Sequence, residues 1–360
     1  MNKTYTEKAH GRVNLIGEHT DYNGGWVLPT TITQFTEVTL DTREDDMISV
    51  ASSPDKKGTD RFLSYRLGEE RRTSTWIDYL QGSTKLLREL MEKKGEKNIW
   101  GMSIKIRSTI PEGSGLSSSA ALTVSFLKVM RTAFDLHLTD VELALLAQRV
   151  ENEFVGAHVG IMDQMAVSLA RSGEALFLDT KMLSFQQLKL PLHKTDVLII
   201  NSGISHRFAE GGGYNERRAQ CEEACKILGI KELRDISIEE MNKKNLPDLL
   251  ARRSKHVITE NARVWEAVEC LKTEDMEKLG KLFGLSHASM RDDYEVSIPE
   301  IDLLVKLCEN DSEVYGARLT GGGFGGSIVA ITKKGSAARI GKKVIEEYHR
   351  LTGQTATVLS

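Results

Sequence analysis

Short runs of alternating apolar and polar residues and longer stretches of helical periodicity share this 360-residue chain, which predicts a mixed α and β fold in two domains or one large one. Hydrophobic residues make up 40% and charged residues 28%, with only 6 prolines, as in a folded globular protein and unlike a disordered or fibrous one. The net charge of -3 supplies no basic face for nucleic acid. No apolar run approaches a membrane span and the first residues lack a signal-peptide core, so the expected setting is cytoplasmic, with neither membrane nor nucleic acid as partner. Cys221, Cys225, Cys270 and Cys308 show no CxxC spacing. Cys221 and Cys225 stand one helical turn apart and read as buried thiols in a reducing compartment, not as a metal site or disulfide.

Glycines concentrate at three places. The first, GRVNLIGEHTDYNGGWVLP at residues 11–29, opens on a short buried strand (Val13, Leu15, Ile16) and turns at YNGG before Trp26, Val27 and Leu28 resume a strand. Arg12, Glu18, His19 and Asp21 crowd this turn. They form either a solvated turn or a binding set, in which carboxylates accept sugar hydroxyls and arginine offsets phosphate charge.

Strands are expected at 35–40, 47–51 and 61–66, then a helix over 75–93 that begins with Trp76 and Tyr79. Those rings are either core or a border for an adenine. Met102, Ile104 and Ile106 alternate with Ser103, Lys105 and Arg107 as in a half-buried strand, which feeds the second glycine site.

That site, PEGSGLSSSAAL at 111–122, is the centre of the chemistry. Gly113 and Gly115 let backbone amides approach a ligand around Ser114 and Leu116, so the loop can cradle phosphate. Ser117, Ser118 and Ser119 open the following helix, where N–H groups lack partners and the dipole favours negative charge. A serine there can coordinate a phosphate-bound magnesium ion or simply cap the helix.

Thr139 and Glu142 form a capping box for a helix running through about residue 154, near whose end Glu151 is either solvated or a second metal ligand. Residues 160–170 set Asp163 and Gln164 among apolar neighbours. A carboxylate there needs a partner such as Arg12, which makes Asp163 the first candidate to touch a reacting hydroxyl, or else a structural cap.

The pattern changes near residue 170, giving expected domains of 1–170 and 171–360. Strands at 174–179 and 196–201 precede a glycine-flexed entry into a helix over 214–228, with Arg217 and Arg218 read as solvated. Helices are expected at 237–250 (Ser237 and Glu240 as capping box), 254–272, 276–288 and 298–309. In the third glycine site, LTGGGFGGSIVAI at 319–331, a GxGxxG match is followed by a strand instead of the helix that a dinucleotide fingerprint needs. A turn close beside the active site, letting either another backbone or the phosphates approach, fits better.

With all three sites in view, the chain resembles the GHMP kinase superfamily and, within it, the galactokinases. GRVNLIGEHTDYNGG is similar to the galactokinase signature, PEGSGLSSSA to the superfamily phosphate loop and LTGGGFGGS to its third motif; WIDY at 76–79, GIMDQ at 160–164 and YNERRAQCE at 214–222 extend the likeness. The resemblance implies an α+β, two-domain GHMP kinase-like fold with ATP and sugar in the interdomain cleft, acting as a monomer on the anomeric hydroxyl of galactose or a close relative. It implies Asp163 and Arg12 as catalytic, Glu18, His19, Asp21, Gly160, Asp163 and Tyr214 around the sugar, Ser119 and Glu151 on Mg2+, and Trp76 and Tyr79 beside the adenine, with residues 113–119 on the phosphates. His10 stands where the family usually has proline, and HVGIMDQ where it has CGIMDQ. The rival readings are a kinase for a different sugar or small alcohol and a noncatalytic sugar and nucleotide sensor, the latter disfavoured by the intact serine run, Arg12, Asp163 and Glu151.

Overall fold

A computed structural model describes residues 3–52, 61–96, 99–205 and 213–359. The chain packs into two compact units that are not consecutive stretches: Met1–Gly11, Thr33–Pro111 and Ser117–Leu169 form one, and Arg12–Ile32, Glu112–Leu116 and Ala170–Ser360 the other. The change of pattern near residue 170 thus falls at one crossing, while parts of the first and second glycine sites pack with the second unit.

β1 (Thr4–Asn14) pairs with β3 (Pro29–Thr42), and of these residues 4–11 and 33–42 belong to the first unit, where β3 runs antiparallel to β6 (Met102–Ser108) from Thr36 opposite Ser108 to Thr42 opposite Met102. β4 (Met47–Ser52) lies parallel to β6 and antiparallel to β5 (Arg61–Arg66). The alternation read in β6 is real: Met102, Ile104 and Ile106 are buried, while Lys105 and Arg107 face out. Four helices pack together here: α1 (Asp78–Lys94), α2 (Ser118–Phe134), α3 (Asp140–Arg149) and α4 (Met162–Leu169). The Thr139 hydroxyl accepts from the Glu142 N–H at 3.2 Å, and the Glu142 carboxylate accepts from the Thr139 N–H at 2.8 Å. This is the expected capping box, a motif worth about 1 kcal/mol. After α3 the backbone loosens into a π-helical turn, Val150–Val155, a rare geometry that concentrates at functional sites.

In the second unit, β2 (Trp26–Val27) and β8 (Ser184–Lys189) pair antiparallel with β7 (Glu174–Asp179). A separate antiparallel sheet has the order β10 (Val314–Thr320), β11 (Ser327–Lys333), β9 (Thr195–Asn201), β12 (Thr357–Leu359). Its core joins Leu198, Ile200, Ile328 and Ala330 to side chains from α5 (Gly213–Leu228), α7 (Asp248–Thr273), α8 (Met276–Asp292), α9 (Pro299–Glu309) and α10 (Ala337–Thr352). The Ser237 and Glu240 capping box forms, but its helix α6 covers only Ile238–Asn242. Pro247 lacks an N–H and stands as the N-cap of α7, so the helices expected at 237–250 and 254–272 regroup into a short one and a long one. Arg217, expected in solvent, is buried, because it donates to the Tyr294 carbonyl at 2.6 Å. Gly211 and Gly212 of the flexed entry lie outside the described residues.

Candidate active site

Two clusters hold the candidate residues, one in each unit. In the second unit the first glycine site wraps around buried charge. Gly17 has φ +101°, and a Cβ there would lie 2.7 Å from the Trp26 carbonyl, so only glycine makes this turn without strain. Its N–H donates to Glu260 of α7 at 2.9 Å. Glu18 is 1% exposed: it accepts from the Asn14 amide at 2.7 Å and the Gly321 N–H at 2.8 Å, with Arg318 at 3.7 Å. Burial raises its pKa against the pull of Arg318 and Arg12.

His19, with φ +60°, meets the Tyr22 hydroxyl through Nδ1 at 2.9 Å, and its ring lies 5.5 Å from that of Tyr214. The structure thus brings together two residues of the expected sugar set that are nearly two hundred positions apart. Asp21 is half-buried, and its backbone carbonyl accepts from the Thr180 hydroxyl at 3.0 Å.

Arg12 is buried and donates through Nη1 to the Gly115 carbonyl at 2.6 Å and through its backbone N–H to the Leu116 carbonyl at 3.3 Å. The Ser114 carbonyl accepts from the Ser327 hydroxyl at 2.8 Å. A Cβ on Gly321 would lie 2.8 Å from the Gly115 carbonyl, so the third glycine turn does let a second backbone approach. Three successive carbonyls of the loop are thereby anchored. Along the same backbone φ is positive at Gly113 (+68°), Gly115 (+72°) and Ser117 (+61°), the alternation that turns successive N–H groups into an anion-binding nest.

In the first unit, Ser117 is the N-cap of α2 in a left-handed conformation that L-residues rarely adopt, and its buried hydroxyl has no hydrogen-bond partner among the described residues. Backbone strain beside an unsatisfied polar group points to function. Ser119 donates to Glu151 Oε2 at 3.3 Å, and the Gln164 amide donates to Glu151 Oε1 at 2.8 Å. Glu151 is 3% exposed, and burial, reinforced by the Asp163 charge, pushes its pKa up to about 7. Asp163 lies in the first turn of α4, half-buried; Gly160, just before that helix, is buried. Trp76 and Tyr79 are both half-buried, on the turn into α1 that Asp78 shapes by accepting from the Thr73 and Ser74 N–H groups at 2.8 and 2.7 Å.

Sequence reasoning missed Glu260, Arg318, His256 and Tyr294, which support the first glycine site from more than two hundred residues away. Arg318 is fully buried and donates to the Leu15 carbonyl at 2.7 Å, and His256 Nε2 lies 3.1 Å from the Glu18 carbonyl. Glu260 and His256 sit inside the helical periodicity of α7, where polar residues read as a solvated face, while Arg318 lies in β10 and Tyr294 beyond the end of α8, so nothing local marked them.

The family described as GHMP kinases N terminal domain matches residues 79–171, and the GHMP kinases C terminal family matches 267–350. A mevalonate kinase from Methanococcus jannaschii superposes with a TM-score of 0.66 at 19% identity, covering 99% of this chain and 98% of its own, a likeness of fold alone. The fold is therefore the mixed α/β, two-domain fold of the ATP-using GHMP kinases. Residues 3–41 match the family described as galactokinase galactose-binding signature. A galactokinase of Haemophilus influenzae is 41% identical over 358 residues, 98% of this chain and 91% of its own length; one from Thermotoga neapolitana is 38% identical over 341 residues, 95% and 93%. The Lactococcus lactis galactokinase, solved in complex with galactose, superposes with a TM-score of 0.92 at 32% identity, covering 99% of this chain and 92% of that one. The chain belongs to the galactokinase family. It is an enzyme, a sugar 1-kinase, and the resemblance read from the three glycine motifs is borne out. Among the described residues no helix is long and apolar enough to cross a membrane.

Proposed function

We propose that the protein transfers the γ-phosphoryl group of ATP to the anomeric hydroxyl of galactose, yielding galactose 1-phosphate and ADP. One observation carries the residue-level reading: Glu151, sealed from water and pushed up to about pKa 7, faces the first turn of α2 through Ser119 at 3.3 Å. Hard oxygen donors with no balancing cation among the described residues suit magnesium, which keeps most of its ligands as water and phosphate oxygen. Ser119 and Glu151 would hold a magnesium ion, which would supply positive charge to the phosphate oxygens.

The chain's own groups do the rest. Backbone N–H groups along 113–119 receive the phosphates, and the half-buried Trp76 and Tyr79 rings flank the adenine. Glu18, His19, Asp21, Gly160, Asp163 and Tyr214 surround the sugar. Glu18 keeps acceptor capacity after its bonds to Asn14 and Gly321, since a carboxylate offers about four lone-pair sites. Asp163 accepts or orients the proton of the attacking hydroxyl, and Arg12 offsets the charge developing on the transferred group, so that positioning and electrostatics supply most of the rate. Glu18 and Asp21 in the sugar set disfavour a strongly anionic substrate, which they would repel.

ADP release measured with ATP across free hexoses and pentoses, with phosphorus NMR of the product, tests this. The expected result is galactose-dependent ADP release with phosphate on the anomeric oxygen. Release independent of sugar, or phosphate on another hydroxyl, would overturn it.

A further inference from the structure

The segment joining α8 to α9 is held more rigidly than a connection needs. Arg252 donates to the Asp292 carbonyl at 3.2 Å, Arg253 to that of Asp293 at 2.6 Å, and Arg217 to those of Tyr294 and Glu295 at 2.6 and 3.1 Å. Four successive carbonyls are fixed by three arginines, and Arg253, one of the largest fully buried side chains, also pairs with Glu295 of the same segment. Such a clamp costs two desolvated cations, so it points to a demand for position beyond closing a loop.

What it positions is Tyr294, which is fully buried. The Tyr294 hydroxyl is 2.8 Å from that of Tyr22 and 3.2 Å from Cys221 Sγ, and the Tyr22 hydroxyl is 2.9 Å from His19 Nδ1. The Tyr294 ring also packs between two histidines, its centroid 4.8 Å from that of His19 and 4.5 Å from that of His256. His256 in turn reaches the Glu18 carbonyl at 3.1 Å. One side chain thus touches the first glycine site by hydroxyl, by ring face and through a second histidine.

We propose that Tyr294 is a positioning residue for sugar recognition: through the Tyr22 hydroxyl it fixes the rotation of the His19 ring, and the arginine clamp fixes Tyr294. The proposal rests on the reading of His19 as a sugar contact. Burial holds both phenols well above their ordinary pKa, so each hydroxyl keeps its single proton and the chain of bonds runs in one sense from Cys221 to Nδ1 or back. Breaking a link removes the hold that the Tyr22 hydroxyl has on Nδ1, which shifts the ring's preferred rotation and weakens sugar binding without touching the phosphates.

The test uses the full chain with Tyr294→Phe, Tyr22→Phe, the double variant and His19→Ala, measuring kcat, the KM for galactose and for ATP, and thermal stability. Each Phe variant keeps its ring and is expected to raise the galactose KM about five- to tenfold, the effect of one lost hydrogen bond. kcat and the ATP KM should stay within about twofold, and the double variant should be no worse than the stronger single, because both break one chain. An unchanged galactose KM in both Phe variants, with His19→Ala raising it, would overturn the proposal alone. Multiplying effects, or a parallel fall of every parameter with stability, would overturn it as well. An unchanged KM in His19→Ala would instead refute the sugar-contact reading on which it rests.

Discussion

Glu151 and Glu260 are both sealed from water, one in each unit, yet their surroundings drive them in opposite directions. Burial raises the pKa of each. At Glu260 the charges of Arg263 and Arg318 outweigh burial and hold the carboxylate below its ordinary range, while Gly17 N–H and the Ser286 hydroxyl complete its bonds at 2.9 and 2.7 Å. At Glu151 the neighbours are an amide, a hydroxyl and the like charge of Asp163, and the group rises to about 7. The protein balances the first charge itself, which builds a scaffold; under the proposed reading the second would be balanced by a cation, which would make it part of the site.

The contrast can be broken from either side. Glu260→Gln takes a buried counter-charge from Arg263 and from the fully buried Arg318, which keeps only Glu18 among the described residues, and should cost about 3–5 kcal/mol in urea unfolding, since removing one partner strands the other. A loss below about 1 kcal/mol would mean the network balances nothing. Asp163→Asn removes the like charge beside Glu151 and the group placed on the reacting hydroxyl. Turnover should fall by roughly 10²–10⁴ with galactose binding still measurable by calorimetry; near-normal turnover would refute the assignment.

The pH dependence of stability separates the two carboxylates further. With its folded pKa raised from 4.5 to about 7, Glu151 holds its proton longer in the folded state, so its contribution to stability declines as pH rises through that window, by on the order of 3 kcal/mol. Glu260 acts oppositely, its contribution being present above the ordinary carboxylate pKa and lost as pH falls below it. His256, lowered to about 4 by burial, also removes stability as pH falls below 6.5. Glu151→Gln should therefore exceed the parent in stability above pH 7 and match it near pH 4.5; equal stability throughout would contradict the burial argument.

The local half of this architecture was legible in the sequence. Both capping boxes follow from a Thr or Ser three residues ahead of a Glu, and β6 from plain alternation. β8 escaped notice because SFQQLK exposes most of its side chains, and the polar outer positions of β1 hid all but its buried end. Glu18, His19 and Tyr214 carried motif signals. Glu260, Arg318 and Tyr294 carried none, because their meaning lies in bonds to Gly17, Leu15 and Tyr22 that span 243, 303 and 272 positions, and no local periodicity records such pairings.

The most direct measurement is a magnesium titration of galactose phosphorylation by Glu151→Gln. If the buried carboxyl is balanced by the cation that accompanies ATP, half-saturating magnesium should rise roughly tenfold or more, with the galactose KM unchanged. An unaltered magnesium dependence at undiminished turnover would contradict the account.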